Sequence, residues 1–289
     1  MKITLKKLAK AALPYGVIWL RQEKTKQPKQ PRKILDFEVH LVDHCNLNCK
    51  GCNNFSPIAD KFELDAEEYE KDLKRLSELT YGYCGRILLL GGEPLLHPQA
   101  GKIAEITRKY FNSCNIRIVT NGLLLKSMGR EFWQMCSKNK IIITVTKYPI
   151  SLDFGEIERI AKTGRVALDY YNDENTVKTL ECIPIDLTGS QNIQENFKNC
   201  YKANSCIELY QGRLYPCTLV PFVKYFNKEF GKDLKVSDED SISIYDAKDI
   251  DEILEFLSRP IPFCRYCNIN ATRDGIIWEP SKKEIAEWI

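Results

Sequence analysis

Twelve cysteines in 289 residues fall into groups whose spacing is chemical. Cys45, Cys49 and Cys52 form CxxxCxxC, and Cys264 and Cys267 form a CxxC knuckle with Cys200, Cys206 and Cys217 upstream. Such close sets are better suited to metal than to disulfides, because a metal centre needs several sulfurs converging on one small volume. A reducing, cytoplasmic location follows as an expectation. Three thiolates on one short loop can hold three corners of a [4Fe–4S] cube and leave the fourth iron open for reaction. The alternative is a zinc knot with His44 as fourth ligand. The CxxC knuckle serves either metal. Cys84, Cys114, Cys136 and Cys182 show no ligand spacing and read as small apolar packing residues, with His40 and His97 in packing or capping roles.

The elements that must position these groups alternate in type. Apolar runs at 34–42, 86–90, 116–120, 141–146 and 166–171 read as strands, and 65–79, 99–111, 128–138 and 153–162 as helices. Strands that are continuously apolar, alternating with helices, indicate an α/β parallel sheet covered by helices. Five or six such units fit between residues 34 and 195 at roughly 30 residues each, so a partial (β/α)6 TIM-like barrel is preferred over an open doubly wound sheet. Either architecture puts the working site at the carboxyl ends of the strands. The first cysteine loop lies there, directly after the first strand. Gly91-Gly92-Glu93-Pro94 closes the second strand, Thr120-Asn121-Gly122 the third, and Thr146 the fourth. Asp169, Tyr170 and Tyr171 stand at the end of the fifth and are substrate-pocket candidates.

Three segments follow from composition. Residues 1–33 carry ten Lys or Arg and one Glu, a charge of +9 against +3 for the whole chain. This basic extension lacks a small-x-small cleavage site, and reads as a solvated arm or as an anchor touching an acidic membrane face. Residues 34–195 are the barrel, and residues 196–289 a small cysteine-rich module held by metal instead of a large core. The module contains a hairpin of 207–210 and 213–215 about Gly212, a polar stretch at 235–251, and a terminal helix over 281–289. No run of about 20 apolar residues is present to span a bilayer.

On CxxxCxxC and GGEP one βα unit apart, the chain resembles the radical S-adenosylmethionine (radical SAM) superfamily. The resemblance implies that Cys45, Cys49 and Cys52 bind a [4Fe–4S] cluster whose open iron is chelated by the methionine moiety of S-adenosylmethionine. It implies that Gly91, Gly92 and Glu93 meet the methionine end, with Asn121 and Thr146 also toward the cofactor. The position before the third cysteine, often aromatic in the family, is Gly51, so adenine must find another neighbour such as Phe55. The spacing Cys200-x11-Gly212-x4-Cys217 with Cys264-x2-Cys267 is similar to the twitch module, the shortened relative of SPASM domains. That implies one auxiliary [4Fe–4S] cluster on Cys200, Cys217, Cys264 and Cys267, with Cys206 as an alternative ligand.

The resemblance implies reductive cleavage of S-adenosylmethionine to a 5′-deoxyadenosyl radical that abstracts hydrogen from a small, carbohydrate-like substrate. The auxiliary cluster would assist oxidation, and a low-potential donor such as flavodoxin or ferredoxin would supply the electron. A peptide maturase is the alternative within the class. A non-catalytic iron–sulfur or zinc scaffold is the alternative outside it, and no nucleic-acid partner is expected.

Overall fold

The β-branched and leucine-rich runs form strands because each is buried on both faces, and the helices between them turn one apolar stripe inward. The computed structural model describes residues 35–172, 175–203 and 205–289. Strands β1 (Asp36–Val42), β2 (Arg86–Gly91), β3 (Asn115–Thr120), β4 (Ile142–Val145) and β5 (Leu168–Tyr170) run parallel in chain order. Helices α1 (Ala66–Thr80), α2 (Ala100–Tyr110), α3 (Arg130–Lys138) and α4 (Phe154–Gly164) connect them. Helix α1 starts where the sequence places it, with the Asp65 carboxylate accepting from the Glu67 and Glu68 amides. The partial-barrel α/β architecture stands as expected.

The sixth parallel strand does not come next in the chain. Strand β6 (Thr179–Cys182) leaves the sheet and pairs antiparallel with β10 (Arg273–Ile277). Instead β7 (Glu208–Tyr210) lies parallel to β1 on its free flank, and β8 (Arg213–Tyr215) and β9 (Ile242–Ser243) follow antiparallel. The sheet order is β5-β4-β3-β2-β1-β7-β8-β9. The cysteine-flanked hairpin therefore forms where it was expected, and it extends the barrel sheet.

Side chains alternate between two environments. Phe37, Val39 and Leu41, with Ile87, Leu89, Ile116, Ile118, Ile143 and Val145, pack against the helices as the main core. The intervening residues share the opposite, concave face.

The tail differs from expectation in two ways. It has a substantial apolar core, including Phe55, Tyr210, Leu219, Phe222, Phe226 and Trp288. Its largest share comes from helix α6 (Leu219–Phe230), which buries Leu219–Val223, Tyr225 and Phe226 and leaves Lys224, Lys228 and Glu229 exposed. Helices α5 (Ile193–Asn199) and α7 (Ile250–Leu257) complete the tail. The expected helix over 281–289 is absent: only one 3-10 turn, Ile285–Glu287, forms there. The Lys282 amide donates to the Glu287 carboxylate, and Lys283 has φ of 58°, so the chain turns where a helix would need to propagate.

The basic arm of residues 1–33 lies outside the described residues. Among the described residues, no helix is long and apolar enough to cross a membrane.

Candidate cluster and cofactor site

The first cysteine loop leaves β1 through a buried polar root. Asp43 accepts from the Tyr225 hydroxyl at 2.5 Å and lies 3.1 Å from His40 Nδ1, whose ring stacks on Phe222. Burial holds His40 below the usual imidazole range, with the Asp43 contact opposing it. His40 is thus in the packing role that its lack of motif suggested. His97 caps a turn, accepting from the Gln99 amide at 3.0 Å and facing the Leu64 carbonyl.

Beyond the root, the three thiols sit within electrostatic reach of one another, half-buried and free of disulfides. The Leu47 amide donates to Cys45 Sγ at 3.4 Å, and the Trp278 indole donates to Cys49 Sγ at 3.1 Å. Burial pushes the Cys45 thiol up to about 11 and the Cys49 thiol up to about 12. Without a positive centre these sulfurs hold their protons, and a metal would displace them. Among the described residues, no three His, Cys, Asp or Glu side chains are gathered as they would be around a single ion. Three sulfurs on one short loop, with N–H donors at Cys45 and Cys49, suit a thiolate-ligated cube.

The glycines of the second strand's end lie against the root of the cysteine loop. A Cβ on Gly91 would lie 2.2 Å from the Val42 carbonyl oxygen, and one on Gly92 would lie 2.0 Å from that of His44. Their missing side chains let the root of the cysteine loop lie against β2. Two backbone bonds fasten it there, Gly92 N to Val42 O and Glu93 N to His44 O.

Glu93 is also more enclosed than its proposed contact with a methionine amino group requires. It is 1% exposed, and its carboxylate accepts from the Thr120 hydroxyl at 2.6 Å and from the amides of Asn121 (2.9 Å) and Leu95 (3.1 Å). Burial raises its pKa to about 7 against these three donors. Glu93 thereby ties the ends of β2 and β3 together. Asn121 does face the loop: its amide donates to Asn46 at 2.8 Å and lies 3.8 Å from Cys45 Sγ. Thr146 is half-buried at the end of β4, its amide bonded to the Thr120 carbonyl.

Two further expectations need correction. Phe55 is fully buried in the tail core against Phe226 and Trp288, which removes it as a neighbour for adenine. Tyr170 turns outward to the helix layer, its hydroxyl on Glu158 and its ring edge-on to Phe154. Strand alternation imposes this, since its neighbour Asp169 points inward. Tyr171 is about half exposed at the rim. The glycine before Cys52 is now explained: Gly51 has φ of 61°, and a Cβ there would come within 3.0 Å of the Glu287 carbonyl oxygen.

Sequence reading missed Tyr148 and Trp278. Tyr148 follows β4, bonds toward Cys49, and packs 6.0 Å from the Trp278 ring. Aromatic residues in loops carry no spacing signal, so only the fold could bring them here.

The concave face is mixed, with Leu88 and Leu90 of β2 flanked by polar groups on the neighbouring strands. Glu38, His40, Arg117, Thr144, Asp169 and Glu208 alternate with the core residues and so share it. Arg117 is almost fully buried and donates to Asp169 at 2.6 Å and to Thr144 at 3.0 Å. Burial, with Glu38 adding repulsion, raises Glu208 well above the usual carboxylate range. A surface cleft of about 700 Å³, lined by Pro184, Asp186, Asn268 and Arg273 among others, includes none of these groups.

The tail cysteines are also neighbours. Cys267 is in electrostatic reach of Cys217, Cys200 and Cys264, and Cys217 of Cys200 and Cys264. Cys206 interacts with Cys217 and Cys200, but its largest electrostatic neighbour is Glu38 on β1. Asn196 donates to the carbonyls of Cys264 and Cys267, holding the knuckle. Lys202 is 5% exposed beside these thiols, and its ammonium has no hydrogen-bond partner among the described residues.

Of the four cysteines without ligand spacing, Cys136 packs in the main core as expected. Cys84 and Cys114 are also buried there, but their sulfurs are 2.6 Å apart and Cys114 donates to the Cys84 carbonyl. Cys182 bonds to the Glu287 carbonyl.

A parallel partial barrel with a CxxxCxxC loop on its first strand and GGE on its second defines an enzyme core that works with a [4Fe–4S] cluster and S-adenosylmethionine. Residues 39–181 match the model of the Radical SAM superfamily, and the chain belongs to that superfamily. GTP 3′,8-cyclase of Staphylococcus epidermidis is 33% identical over 113 residues, 37% of this chain and 33% of that protein. Probable GTP 3′,8-cyclase of Methanothermobacter thermautotrophicus is 33% identical over 101 residues, 35% and 32% of the two chains. The chain thus spans about a third of the length of the curated relatives it matches. Among solved structures, BtrN in complex with AdoMet and 2-DOIA has a TM-score of 0.47 at 18% identity, covering 83% of this chain and 94% of BtrN. Native anSMEcpe with bound AdoMet has a TM-score of 0.48 at 15% identity, covering 80% and 82%.

Proposed function

We propose that this radical SAM enzyme abstracts hydrogen from a small, polar, carbohydrate-like substrate bound on the concave face, with a second [4Fe–4S] cluster at the tail cysteines assisting oxidation. The cluster on Cys45, Cys49 and Cys52, with S-adenosylmethionine bound, supplies the electron and the 5′-deoxyadenosyl radical. Asn121 orients the loop beside Cys45, and Tyr148 and Trp278 exclude water from the Cys49 side. Gly91 and Gly92 keep the loop root against β2, while buried Glu93 fixes the two strand ends beneath it.

The observation that carries the substrate reading is the concave face itself. Asp169 and Glu38 are partly exposed on it, and Arg117, Thr144 and Glu208 lie buried behind them, a mixed set of donors and acceptors such as hydroxyl-rich molecules require. It is bordered by the first cysteine loop at the strand ends and by Cys206 beside Glu38. The auxiliary cluster is supported by Lys202. A buried ammonium with no hydrogen-bond partner among the described residues is costly, and four cysteinate ligands would supply negative charge beside it. On this reading Cys200, Cys217, Cys264 and Cys267 are the ligands, and Cys206, nearest the barrel interior, is left over.

The test is anaerobic reconstitution followed by S-adenosylmethionine and a strong reductant. Formation of 5′-deoxyadenosine, about eight irons per chain, and turnover of polyols or aminosugars but not short peptides are expected. About four irons would remove the auxiliary cluster, and turnover confined to peptides would overturn the substrate class. For the basic arm we propose contact with an acidic membrane surface. Deleting residues 1–33 should abolish binding to anionic vesicles, and unchanged binding would reject that contact.

A further inference from the structure

Residues 278–288 lie directly on the first cysteine loop. The Ser281 amide donates to the Asn48 carbonyl at 2.7 Å, and the Lys50 amide donates to that of Glu279 at 2.9 Å. The Trp288 indole donates to the Cys52 carbonyl at 2.9 Å, and the Trp278 indole to Cys49 Sγ at 3.1 Å. Glu287 is 6% exposed and organises the segment from within. One carboxylate oxygen accepts from Ser281 Oγ at 2.6 Å and from the Gly51 amide at 3.3 Å, and the other accepts from the Lys282 amide at 2.6 Å. The far side of the segment is tied to the body, with the Ile185 amide donating to the Trp288 carbonyl.

We propose that this segment is a strap that holds the CxxxCxxC loop in its ligating shape before any cofactor arrives, and that Trp278 is a positioning residue that tunes the cluster through Cys49. A loop of thiols is costly to order on its own, because each fixed residue loses backbone freedom. The strap provides bonds to Asn48, Lys50, Gly51 and Cys52, on both sides of the middle cysteine. An N–H donor at a cluster sulfur stabilises the more negative, reduced state and so raises its potential. The strap's length and its glycine-dependent seat at Gly51 make it specific to this loop.

The proposal rests on Cys45, Cys49 and Cys52 as cluster ligands only in its electronic half. The test therefore has two arms on the full chain. In the unloaded protein, amide hydrogen exchange over residues 45–52 should rise at least tenfold in Glu287→Gln and stay at the wild-type rate in Glu284→Gln, whose side chain is exposed. Ser281→Ala carries this arm if Glu287→Gln does not fold. In the loaded protein, Trp278→Phe should shift the cluster's one-electron potential negative, by about 59 mV for a tenfold change in the reduction equilibrium, and alter its electron paramagnetic resonance signal. Exchange unchanged within twofold in the strap variant that folds overturns the holding role. An unchanged potential and signal in Trp278→Phe overturn the tuning role. If wild-type protein binds no iron at this loop, the ligand reading fails, and the exchange arm still decides the strap.

Discussion

Replacing Glu93 with glutamine removes a pH dependence whose sign the structure dictates. Glu93 is buried, and desolvation raises its pKa from 4.5 to about 7 even with three donors on its carboxylate. In the unfolded chain the same group titrates at its ordinary value. Between about pH 4.5 and pH 7 the folded state therefore binds the extra proton, and stability falls as pH rises through that window. At about 1.4 kcal/mol per tenfold in proton affinity, the loss is about 3 kcal/mol. The substituted side-chain amide does not titrate, so this component vanishes. Its NH2 must face the backbone amide of either Asn121 or Leu95, both donors, at a cost of about 1–3 kcal/mol at any pH. Near pH 5 the Glu93→Gln variant should be the less stable protein, and near pH 8 it should match or exceed the wild type. Anaerobic urea unfolding of the unloaded chain at half-unit pH steps reads this directly. A wild-type-minus-variant difference that stays flat within about 0.5 kcal/mol from pH 5 to pH 8 would refute the reasoning.

Other outcomes follow from the same geometry. Cys45→Ala, Cys49→Ala and Cys52→Ala should each abolish 5′-deoxyadenosine formation and drop iron from about eight to about four per chain, by iron assay. Gly51→Ala should lower stability by about 1–3 kcal/mol, because its Cβ would press on the Glu287 carbonyl at a positive φ; thermal unfolding measures this. Arg117→Met removes the donor to Asp169 and Thr144 on the concave face. It should lower substrate turnover at least tenfold while abortive cleavage of S-adenosylmethionine continues, as chromatography of both products would show.

Much of this protein is legible in its residues taken in order. Runs such as Ile116–Thr120 read as buried strands, and Asp65 ahead of an apolar stripe reads as a helix start, because periodicity and capping are local. The cysteine spacings are equally local, since ligands on one loop need no knowledge of the fold. Gly212 announced the hairpin for the same reason. The tertiary structure alone decided what the loop's neighbours are. Trp278 reaches Cys49 and Glu287 reaches Gly51 across 229 and 236 residues. No periodicity links such positions, and their pairing depends on where the tail is carried. The burial of Glu93, the outward turn of Tyr170 and the removal of Phe55 to the tail core are likewise consequences of packing. A carboxylate, a phenol and a phenyl ring read the same in a sequence whichever way they point. Strand β7 completed the parallel set on the far flank of β1 because an unpaired edge there can take any strand long enough to satisfy its amides.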